Sequence, residues 1–409
     1  MKTRTLFHLF LLIFFLPAFI PSCKKGKSEI VGVKDIDTPV FYNSEKFCMG
    51  ADLSYVNQIL DHGGIYKDSG NIVNPYKIFK THGANVIRLR LWHYPAWTKE
   101  VYGVAGTQMY NDIKDVEKAI SIIKENGMEV NLDFHFSDTW ADPGKQIVPE
   151  AWKNIKDTTV LKDSVYNYTF NVLKYLDSKG LMPDMVQIGN EINCGLFITE
   201  NEVGFPNLNC CNGKWRELGA ILNSGIKAVR DVSSLSAIKA KIILHVADPK
   251  NVEWWFDNII SQANVTDFDI VGFSYYPLWH TTLGYGQIEN KIALFKSKYN
   301  KKVMIMEFAY PWTYEDADTY SNAFGNQSPV GSFPFSKDGQ FNLLKDLTQK
   351  IINAGGDGIF YWEPAWISSD MKDLWGTGSS WDNAALFDFD GNVLKSIDFM
   401  TYKYTFPSK

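Results

Sequence analysis

The stretch Met185–Ile192 (MVQIGNEI) begins as a largely apolar run, which is followed at residues 189–191 by a glycine, an amide and a carboxylate. A short apolar run that stops at a polar turn is typical of a buried strand. Segments with helical spacing of apolar residues lie on both sides of it, at Val160–Ser178 and Trp215–Val232. A strand between two helices predicts a βαβ unit, in which consecutive strands run parallel.

The same pattern recurs along most of the chain. Two further segments with helical spacing are Asp112–Asn126 and Gln340–Ala354, and Gly127, Gly180 and Gly355 lie where helices would end before a strand. The eight runs that resemble strands are Phe47–Leu53, Asn85–Trp92, Glu129–His135, Met185–Ile192, Lys241–Val246, Asp269–Tyr275, Lys302–Phe308 and Gly358–Trp362.

Eight such units favour one closed (β/α)8 barrel, an α/β fold, over residues 46–409. An open doubly wound sheet is the alternative. Such a sheet usually carries a glycine-rich phosphate turn after its first strand, and no such turn follows Leu53. No linker-like, repeated or low-complexity segment interrupts the pattern, so we expect a single domain.

The first 45 residues predict export. A basic start precedes the apolar run Leu6–Ile20, which is too short for a comfortable transmembrane span, so residues 1–22 are interpreted as a signal peptide. Residues 20–23 resemble a bacterial lipobox, which makes Cys23 the expected lipidated residue and residues 23–45 a tether. The protein would then be a lipoprotein of the outer membrane or cell surface, or of the periplasmic-facing leaflet. A soluble exported protein is the alternative.

Charge and aromatic content separate two classes of partner. The net charge is −5, whereas a nucleic-acid-binding protein usually has a basic face, so no nucleic-acid partner is expected. Aromatic residues make up 15% of the chain, and many lie beside charged residues. Aromatic rings stack on the C–H faces of sugars, and sugar hydroxyls need charged or amide partners. The composition therefore suits a polysaccharide-binding cleft, although core packing is the better explanation for any single ring.

Four cysteines remain after Cys23, namely Cys48, Cys194, Cys210 and Cys211. No CxxC pair with matching histidines is present, which argues against structural zinc. Either Cys210 or Cys211 could bridge to Cys194, and the sequence leaves this open.

Charged and aromatic residues lie at six of the eight predicted strand ends, where packing alone would favour Val, Ile and Leu. In (β/α)8 enzymes the active site is built at this end of the barrel. Glu191 ends the fourth strand and Glu307 the seventh. Glycoside hydrolysis needs two carboxyl groups, one ionised and one protonated. Arg88 or Arg90, with a tyrosine of the sixth strand, is expected to keep Glu307 ionised.

Asn190-Glu191 together with Glu307 resembles the superfamily of retaining (β/α)8 glycosidases. Within it, the chain is similar to the endo-β-1,4-galactanases, family 53 of the glycoside hydrolases. The stretches that carry this resemblance are residues 50–54 (GADLS), 86–92 (VIRLRLW), 132–142 (LDFHFSDTWAD), 187–191 (QIGNE), 273–279 (FSYYPLW), 306–310 (MEFAY) and 381–390 (WDNAALFDFD). The resemblance implies retaining endo-hydrolysis of β-1,4-galactan in type I arabinogalactan. By position, Glu191 would be the acid/base and Glu307 the nucleophile, with no cofactor for catalysis. A monomer is expected.

Other residues near the strand ends are candidates for binding the sugar chain. Asn190 would bind the 2-hydroxyl, and Trp362 matches the superfamily's platform under the cleaved sugar. His135, Asp138 and Trp140 follow the third strand. The remaining candidates, which core or loop packing would explain equally well, are Arg90, Trp92, Tyr276, Trp312 and Trp366.

Two late loops suggest a structural Ca²⁺ site, because calcium takes six to eight oxygen ligands from flexible loops. Some family members join these loops with Ca²⁺, and by resemblance Asp318, Asn322 and Asp382 would supply side chains. Tyr320 and Ser379 would supply carbonyl oxygens. Ordinary polar loops are the alternative.

Two other functions stay open. The same barrel could cleave another β-1,4 glycan, such as mannan or glucan. It could also be an inactive surface protein that binds glycans, although the presence of both glutamates argues against this.

Overall fold

A computed structural model describes residues 47–407. Eight parallel strands form a closed barrel in which each strand pairs with the next along the chain and the last pairs with the first. The strands are β1 Cys48–Asp52, β2 Val86–Leu91, β3 Glu129–Phe134, β4 Met185–Ile188, β5 Lys241–Ala247, β6 Ile270–Ser274, β7 Lys302–Phe308 and β8 Gly358–Tyr361. Each strand falls on one of the eight predicted runs, so the predicted barrel is confirmed. Residues 1–22 and the whole expected tether, residues 23–45 with Cys23, lie outside the described part.

Helices follow the strands and cover the outside of the barrel. They are α1 Val56–Asp61, α2 Pro75–Thr81, α3 Trp97–Glu100, α4 Ile113–Glu125, α5 Thr158–Asp177, α6 Trp215–Leu235, α7 Val252–Ala263, α8 Ile288–Tyr299 and α9 Lys337–Asn353. After β8, a 3-10 helix at Lys395–Thr401 packs on α9. Within residues 47–407, no helix is both long enough and apolar enough to cross a membrane.

Helix α4 shows how local sequence sets the element boundaries. The Asp112 side chain accepts hydrogen bonds from the backbone N–H groups of Lys114 and Asp115 at 3.1 and 2.9 Å, which caps the first turn. The helix ends before Gly127, whose φ of +68° is a conformation that glycine adopts without a steric penalty. The chain then enters β3 directly.

The barrel interior consists of an apolar floor and a polar layer above it. The buried residues of the floor are Val86, Met185, Ile243, Ile270, Met304, Met306 and Phe360. Side chains alternate along a strand, so residues two and four positions beyond a floor residue also point inward. Arg88 and Arg90 follow Val86 in this way, and His245 follows Ile243; none is more than 1% exposed. The barrel itself therefore buries these polar side chains.

Strand β7 departs from this alternation at one place. Its pairing with β6 passes from Phe273–Ile305 to Ser274–Glu307, and its pairing with β8 shifts at the same level. Met306 belongs to the floor, and the next residue, Glu307, contacts groups of the polar layer. A β-bulge inserts one extra residue and re-aims a side chain. Here it turns two consecutive side chains into the barrel.

Candidate active site

Glu191 and Glu307 line a common cleft of about 410 Å³ at the carboxyl ends of the strands. One oxygen of the Glu191 carboxylate lies within 4.8 Å of one oxygen of the Glu307 carboxylate. Retaining glycosidases hold their two carboxyl groups about 5–5.5 Å apart, and inverting enzymes about 6.5–9.5 Å apart. The short separation fits direct attack by one carboxylate and leaves no room for a water molecule between that group and the sugar.

Glu307 receives two hydrogen bonds that favour its ionised form. Arg88 Nη1 donates to Oε1 at 2.9 Å, and the Tyr276 hydroxyl donates to Oε2 at 3.0 Å. Burial raises the pKa of Glu307, and the positive charge of Arg88 and the hydrogen bond from Tyr276 oppose that rise. The arginine named by the geometry is Arg88, the first of the two alternatives.

No cation among residues 47–407 makes a hydrogen bond to Glu191. Burial and the negative charge of Glu307 raise its pKa well above the ordinary value, and a hydrogen bond from the Ser274 hydroxyl at 2.5 Å opposes the rise. When two carboxyl groups lie this close and one is paired with arginine, the shared proton resides on the other. The site therefore combines an ionised Glu307 with a protonated Glu191.

The backbone at Glu191 is strained. Its φ is +48°, in the left-handed region that bulky residues rarely adopt. The neighbouring peptides are held from both sides, since Ile192 N–H donates to the His245 carbonyl at 3.0 Å and the Gln146 side chain donates to the Asn190 carbonyl at 2.8 Å. These contacts fix where the carboxylate enters the cleft.

Asn190 is locked between the two halves of the site. Its Oδ1 accepts from Arg88 Nη2 at 2.8 Å and from Gln187 Nε2 at 3.1 Å, and its Nδ2 donates to the Ala141 carbonyl at 2.8 Å. The amide is thus oriented by Arg88, the same side chain that contacts Glu307.

Tryptophans form much of the cleft wall. Trp279 and Trp375 are 42% and 61% exposed, so large parts of their rings remain free to contact a ligand. Trp362 packs edge-on against Trp381, with ring centroids 4.7 Å apart. The tryptophans that line the cleft are Trp140, Trp279, Trp362, Trp366, Trp375 and Trp381. A sugar chain would meet aromatic faces on several sides of the two carboxylates.

Comparisons with known proteins agree with this geometry. The sequence matches the Glycosyl hydrolase family 53 profile over residues 48–400. The chain belongs to glycosyl hydrolase family 53. It is 42% identical to an arabinogalactan endo-β-1,4-galactanase of Cellvibrio japonicus, over 84% of this chain and 86% of that protein. It is 33% identical to an endo-β-1,4-galactanase of Bacillus subtilis, over 88% of this chain and 86% of the relative.

Solved structures show the same relationship. A family 53 catalytic domain from Ignisphaera aggregans superposes with a TM-score of 0.77 at 34% identity, covering 90% of this chain and 99% of that one. The resemblance stated from the sequence motifs and the assignment to glycoside hydrolases are confirmed.

The family 53 cleft contains most of the residues expected to bind sugar, and three lie elsewhere. Those that line it are Arg90, His135, Trp140, Asn190, Tyr276, Trp362 and Trp366. Trp92 is completely buried and donates through Nε1 to His135 Nδ1 at 3.2 Å. Its expected contact with substrate is corrected to a packing role.

Asp138 and Trp312 also lie outside the set of residues that line the cleft, and their expected contact with sugar stays a prediction. The Asp138 carboxylate accepts from the backbone N–H groups of Tyr94 and Glu150, both at 2.8 Å, so it holds two loops together. Trp312 donates through Nε1 to the Asp382 carbonyl at 3.3 Å and packs on Phe389. Neither lines the cleft, because loop residues just past a strand can turn back onto the scaffold.

Arg90 does not pair with Glu307. Its guanidinium lies over the rings of Trp140, Tyr55 and Trp92, at 4.1, 4.6 and 4.7 Å from their centroids. Its charge is paired with Glu363, at 3.2 Å. Arg90 therefore supports an aromatic wall of the cleft and presents one edge to it.

Several residues of the site were not among the sequence candidates. Trp279 and Trp381 lie inside stretches that carry the family resemblance, so a signal for them was present. Ser274 lies in the same stretch as Trp279, but a serine inside an apolar strand is usually structural. His245 gave no signal, because a histidine at such a position is usually structural as well. Trp375 lies in a loop with no periodicity to mark it.

Cysteine pairing is decided by the structure. Cys194 bonds to Cys211, and among the described residues Cys48 and Cys210 are free thiols. The bridge joins the loop that follows Glu191 to the segment just before α6.

The residues expected to bind Ca²⁺ form two nearby groups. Asp382 accepts from Asn322 Nδ2 at 2.6 Å, and Asp318 accepts from the backbone N–H groups of Tyr320 and Ser379 at 2.7 and 2.9 Å. Asn322 Oδ1 is buried and has no hydrogen-bond partner in the described part of the chain. Burial, with the negative charges of Asp318 and Asp316, raises the pKa of Asp382 to about 6. Crowded carboxylates and an orphaned amide oxygen fit a calcium site.

Proposed function

We propose that this chain is a retaining endo-β-1,4-galactanase that cleaves galactan and type I arabinogalactan. The observation that carries the mechanism is the separation of the two carboxylates, within 4.8 Å, with arginine on only one of them. The galactan preference rests on the relatives named as galactanases, at 42% and 33% identity.

The first step uses both glutamates. Glu307 Oε attacks the anomeric carbon and forms a glycosyl ester, and the bond from that carbon to the leaving oxygen breaks. Glu191 gives its proton to that oxygen, so the outgoing sugar leaves as an alcohol. Glu191 is then a carboxylate. It takes a proton from water as the water oxygen attacks the anomeric carbon, which frees Glu307 and restores the acid.

The rest of the cleft binds and orients the sugar. Trp362 would lie under the cleaved sugar, and Asn190 would reach its 2-hydroxyl. Trp279 and Trp375, the most exposed of the lining tryptophans, would stack further sugars along the chain. Rings beyond the cleaved residue suit an enzyme that binds the interior of a polymer.

The test follows the products by ¹H NMR. On β-1,4-galactan, the first reducing ends should be β-anomers and long oligosaccharides should precede short ones. Glu307→Ala should release no reducing ends, and Glu289→Gln on α8 is the matched surface control. Early α-anomers would refute retention. Faster cleavage of mannan or glucan than of galactan would make that glycan the assigned substrate. Galactan binding without turnover would favour an inactive glycan-binding barrel.

We further propose that the enzyme is exported and held at a membrane by lipid on Cys23, and that it is a monomer. The proposal is supported by the basic and apolar start and by residues 20–23. Cys23→Ala should move the protein from the detergent phase to the soluble fraction. Protease treatment of intact cells then separates the cell surface from the periplasmic-facing leaflet, and light scattering gives the mass.

We also propose that a structural Ca²⁺ joins the loops after β7 and β8. Asp318, Asn322 and Asp382 would hold it through side chains, and Tyr320 and Ser379 through carbonyl oxygens. When bound, the ion would neutralise the crowded carboxylates and fix the loop that carries Trp375. It has no part in proton transfer or nucleophilic attack.

A further inference from the structure

Behind Glu191, Ser274 and His245 form a hydrogen-bonded chain that leads away from the cleft. Ser274 Oγ lies 2.5 Å from Glu191 Oε1 and 2.9 Å from His245 Nε2. Ser274, the last residue of β6, and His245, within β5, are completely buried. The mechanism above uses neither residue.

A fixed backbone donor decides which ring nitrogen of His245 carries the proton. The backbone N–H of Glu191 donates to Nδ1 at 3.4 Å, and its hydrogen cannot be moved to another acceptor. The two hydrogens of Gln187 Nε2 go to Asp133 and Asn190, so this amide does not decide the tautomer. Asn190 Oδ1 is 2.9 Å away, but it already accepts from Arg88 and Gln187. A neutral imidazole has one donor and one acceptor nitrogen, so Nδ1 accepts and Nε2 carries the hydrogen.

The direction of the remaining hydrogen bonds then follows. His245 Nε2–H donates to Ser274 Oγ, and Ser274 has a single O–H, which is left to donate to Glu191 Oε1. Oε1 is an acceptor in this arrangement. Among residues 47–407, no group donates a hydrogen bond to Glu191 Oε2, and Glu191 lines the cleft.

We propose that Ser274 and His245 are positioning residues that place the acid proton of Glu191 on Oε2, the oxygen available to the leaving group. The inference rests on the proposed role of Glu191 as acid/base. A carboxylic acid whose proton lies on the oxygen that faces away from the substrate cannot protonate the glycosidic oxygen. Ser274 and His245 therefore allow Glu191 to act as the acid, although neither residue contacts the substrate.

The charged surroundings keep the hydrogen-bonded residues His245 and Ser274 in one protonation state. Burial and the positive charge of Arg88 lower the pKa of His245 well below its ordinary value, so the ring stays neutral; Asp133 opposes this shift and His135 adds to it. The groups facing Glu191 are Glu307, Asp142 and Arg88. With His245 neutral, no proton moves along the chain during turnover.

The same contacts serve both chemical steps. In the first, the Oε2 proton goes to the leaving oxygen, and the Ser274 hydroxyl stabilises the carboxylate that forms. In the second, the water proton returns to Oε2, because Oε1 remains occupied by Ser274. Each cycle ends with one proton on Glu191, as it began.

The test compares leaving groups. Aryl β-1,4-galactobiosides with weakly acidic phenols need the acid, whereas the 2,4-dinitrophenyl compound does not. Ser274→Ala should lower kcat/KM roughly 10- to 100-fold for the former, the value of a hydrogen bond to a charged group, and less than about 3-fold for the latter. Its alkaline limb should shift to higher pH, because a donor to the carboxylate is lost. Equal losses on both substrates would overturn the proposal.

Two variants of His245 distinguish a role in placing the Glu191 proton from a purely structural role. His245→Gln places an amide N–H near the position of Nε2 and should retain the wild-type dependence on leaving group. His245→Asn keeps a polar group near Nδ1 and loses the Nε2 donor, so it should resemble Ser274→Ala; the opposite order would overturn the inference. Glu191→Ala is the reference: if the dinitrophenyl compound does not spare it, the acid/base assignment itself fails.

Discussion

Arg88 and Glu307 form a buried ion pair, with Nη1 2.9 Å from Oε1 and both residues at most 5% exposed. The same guanidinium bonds Asp52 at 2.9 Å and Asp133 at 2.7 Å. One cation thus faces three carboxylates and also orients Asn190. Its position decides which of the two glutamates in the cleft is ionised.

Arg88→Lys should weaken catalysis and shift its pH dependence. Lysine retains the charge but lacks the planar fork that reaches all four partners. We expect kcat/KM on galactan to fall on the order of 10²-fold. The pKa of Glu307 should rise, so the acid limb of the pH profile should move to higher pH. A lowered rate with an unchanged acid limb would contradict the assignment of Arg88.

Glu363→Gln should destabilise the barrel. Arg90 and Glu363 are both buried, and removing one partner leaves an uncompensated charge. Breaking such a pair costs about 3–5 kcal/mol in the free energy of unfolding. Urea unfolding of the variant and of Glu289→Gln, a surface control, measures the difference. A loss below about 1 kcal/mol would show that the aromatic rings alone stabilise Arg90.

Cys211→Ser should lower stability more than Cys210→Ser. The bond from Cys194 to Cys211 closes a loop with a sequence separation of 17, and a loop of this size is worth about 3 kcal/mol. Cys210 is buried beside it as a free thiol, so its variant is the matched control. Thermal unfolding without reductant tests this. Equal losses would mean that the bridge adds nothing beyond packing.

Calcium should stabilise the protein most at high pH. The pKa of Asp382 is raised to about 6, so the stability that its neutral form permits is present below about pH 4 and is lost as pH rises through 6. Ca²⁺ binds the ionised form and should remove that loss, giving about 2.7 kcal/mol at 100 times its Kd.

Melting curves at pH 5 and pH 8, in EDTA and in Ca²⁺, check this, and Mg²⁺ is the ionic control. Asp382→Asn should abolish the calcium effect, whereas the carboxyl of Asp115, whose pKa is also about 6, should still titrate in that variant. An equal response to Ca²⁺ in the wild type and the variant would place the ion elsewhere.

The barrel and the catalytic pair were predictable because they depend on local patterns. Apolar runs separated by helical spacing identify the strands, and a carboxylate at a strand end lies at the barrel mouth. Helices α1, α2, α3, α7 and α8 were not predicted. In α8 the buried residues Ile288, Ile292 and Phe295 keep helical spacing, but most of the other residues of the helix are polar, which weakens the apolar signal.

The choice between Arg88 and Arg90 was not predictable, since alternation points both into the barrel. Their partners depend on depth: Arg88 lies one layer closer to the floor and reaches Glu307, whereas Arg90 lies higher, among aromatic rings. The roles of Trp92 and Asp138 also depend on the direction of a single turn after a strand. Periodicity carries no information about that direction.

Because of the extra residue in β7, activity depends on the alternation of side chains along that strand. Met306 fills the floor and Glu307 enters the cleft only because two neighbours face the same way. Removing Met306 would leave a chain with all eight strands and with the carboxylate of the active protein. With regular alternation restored, Glu307 would still point inward, but at the level of the apolar floor where Met306 now lies, below the cleft. A frame slip of one position in a single strand, without the loss of any catalytic residue, would thus be enough to turn a hydrolase into an inert barrel.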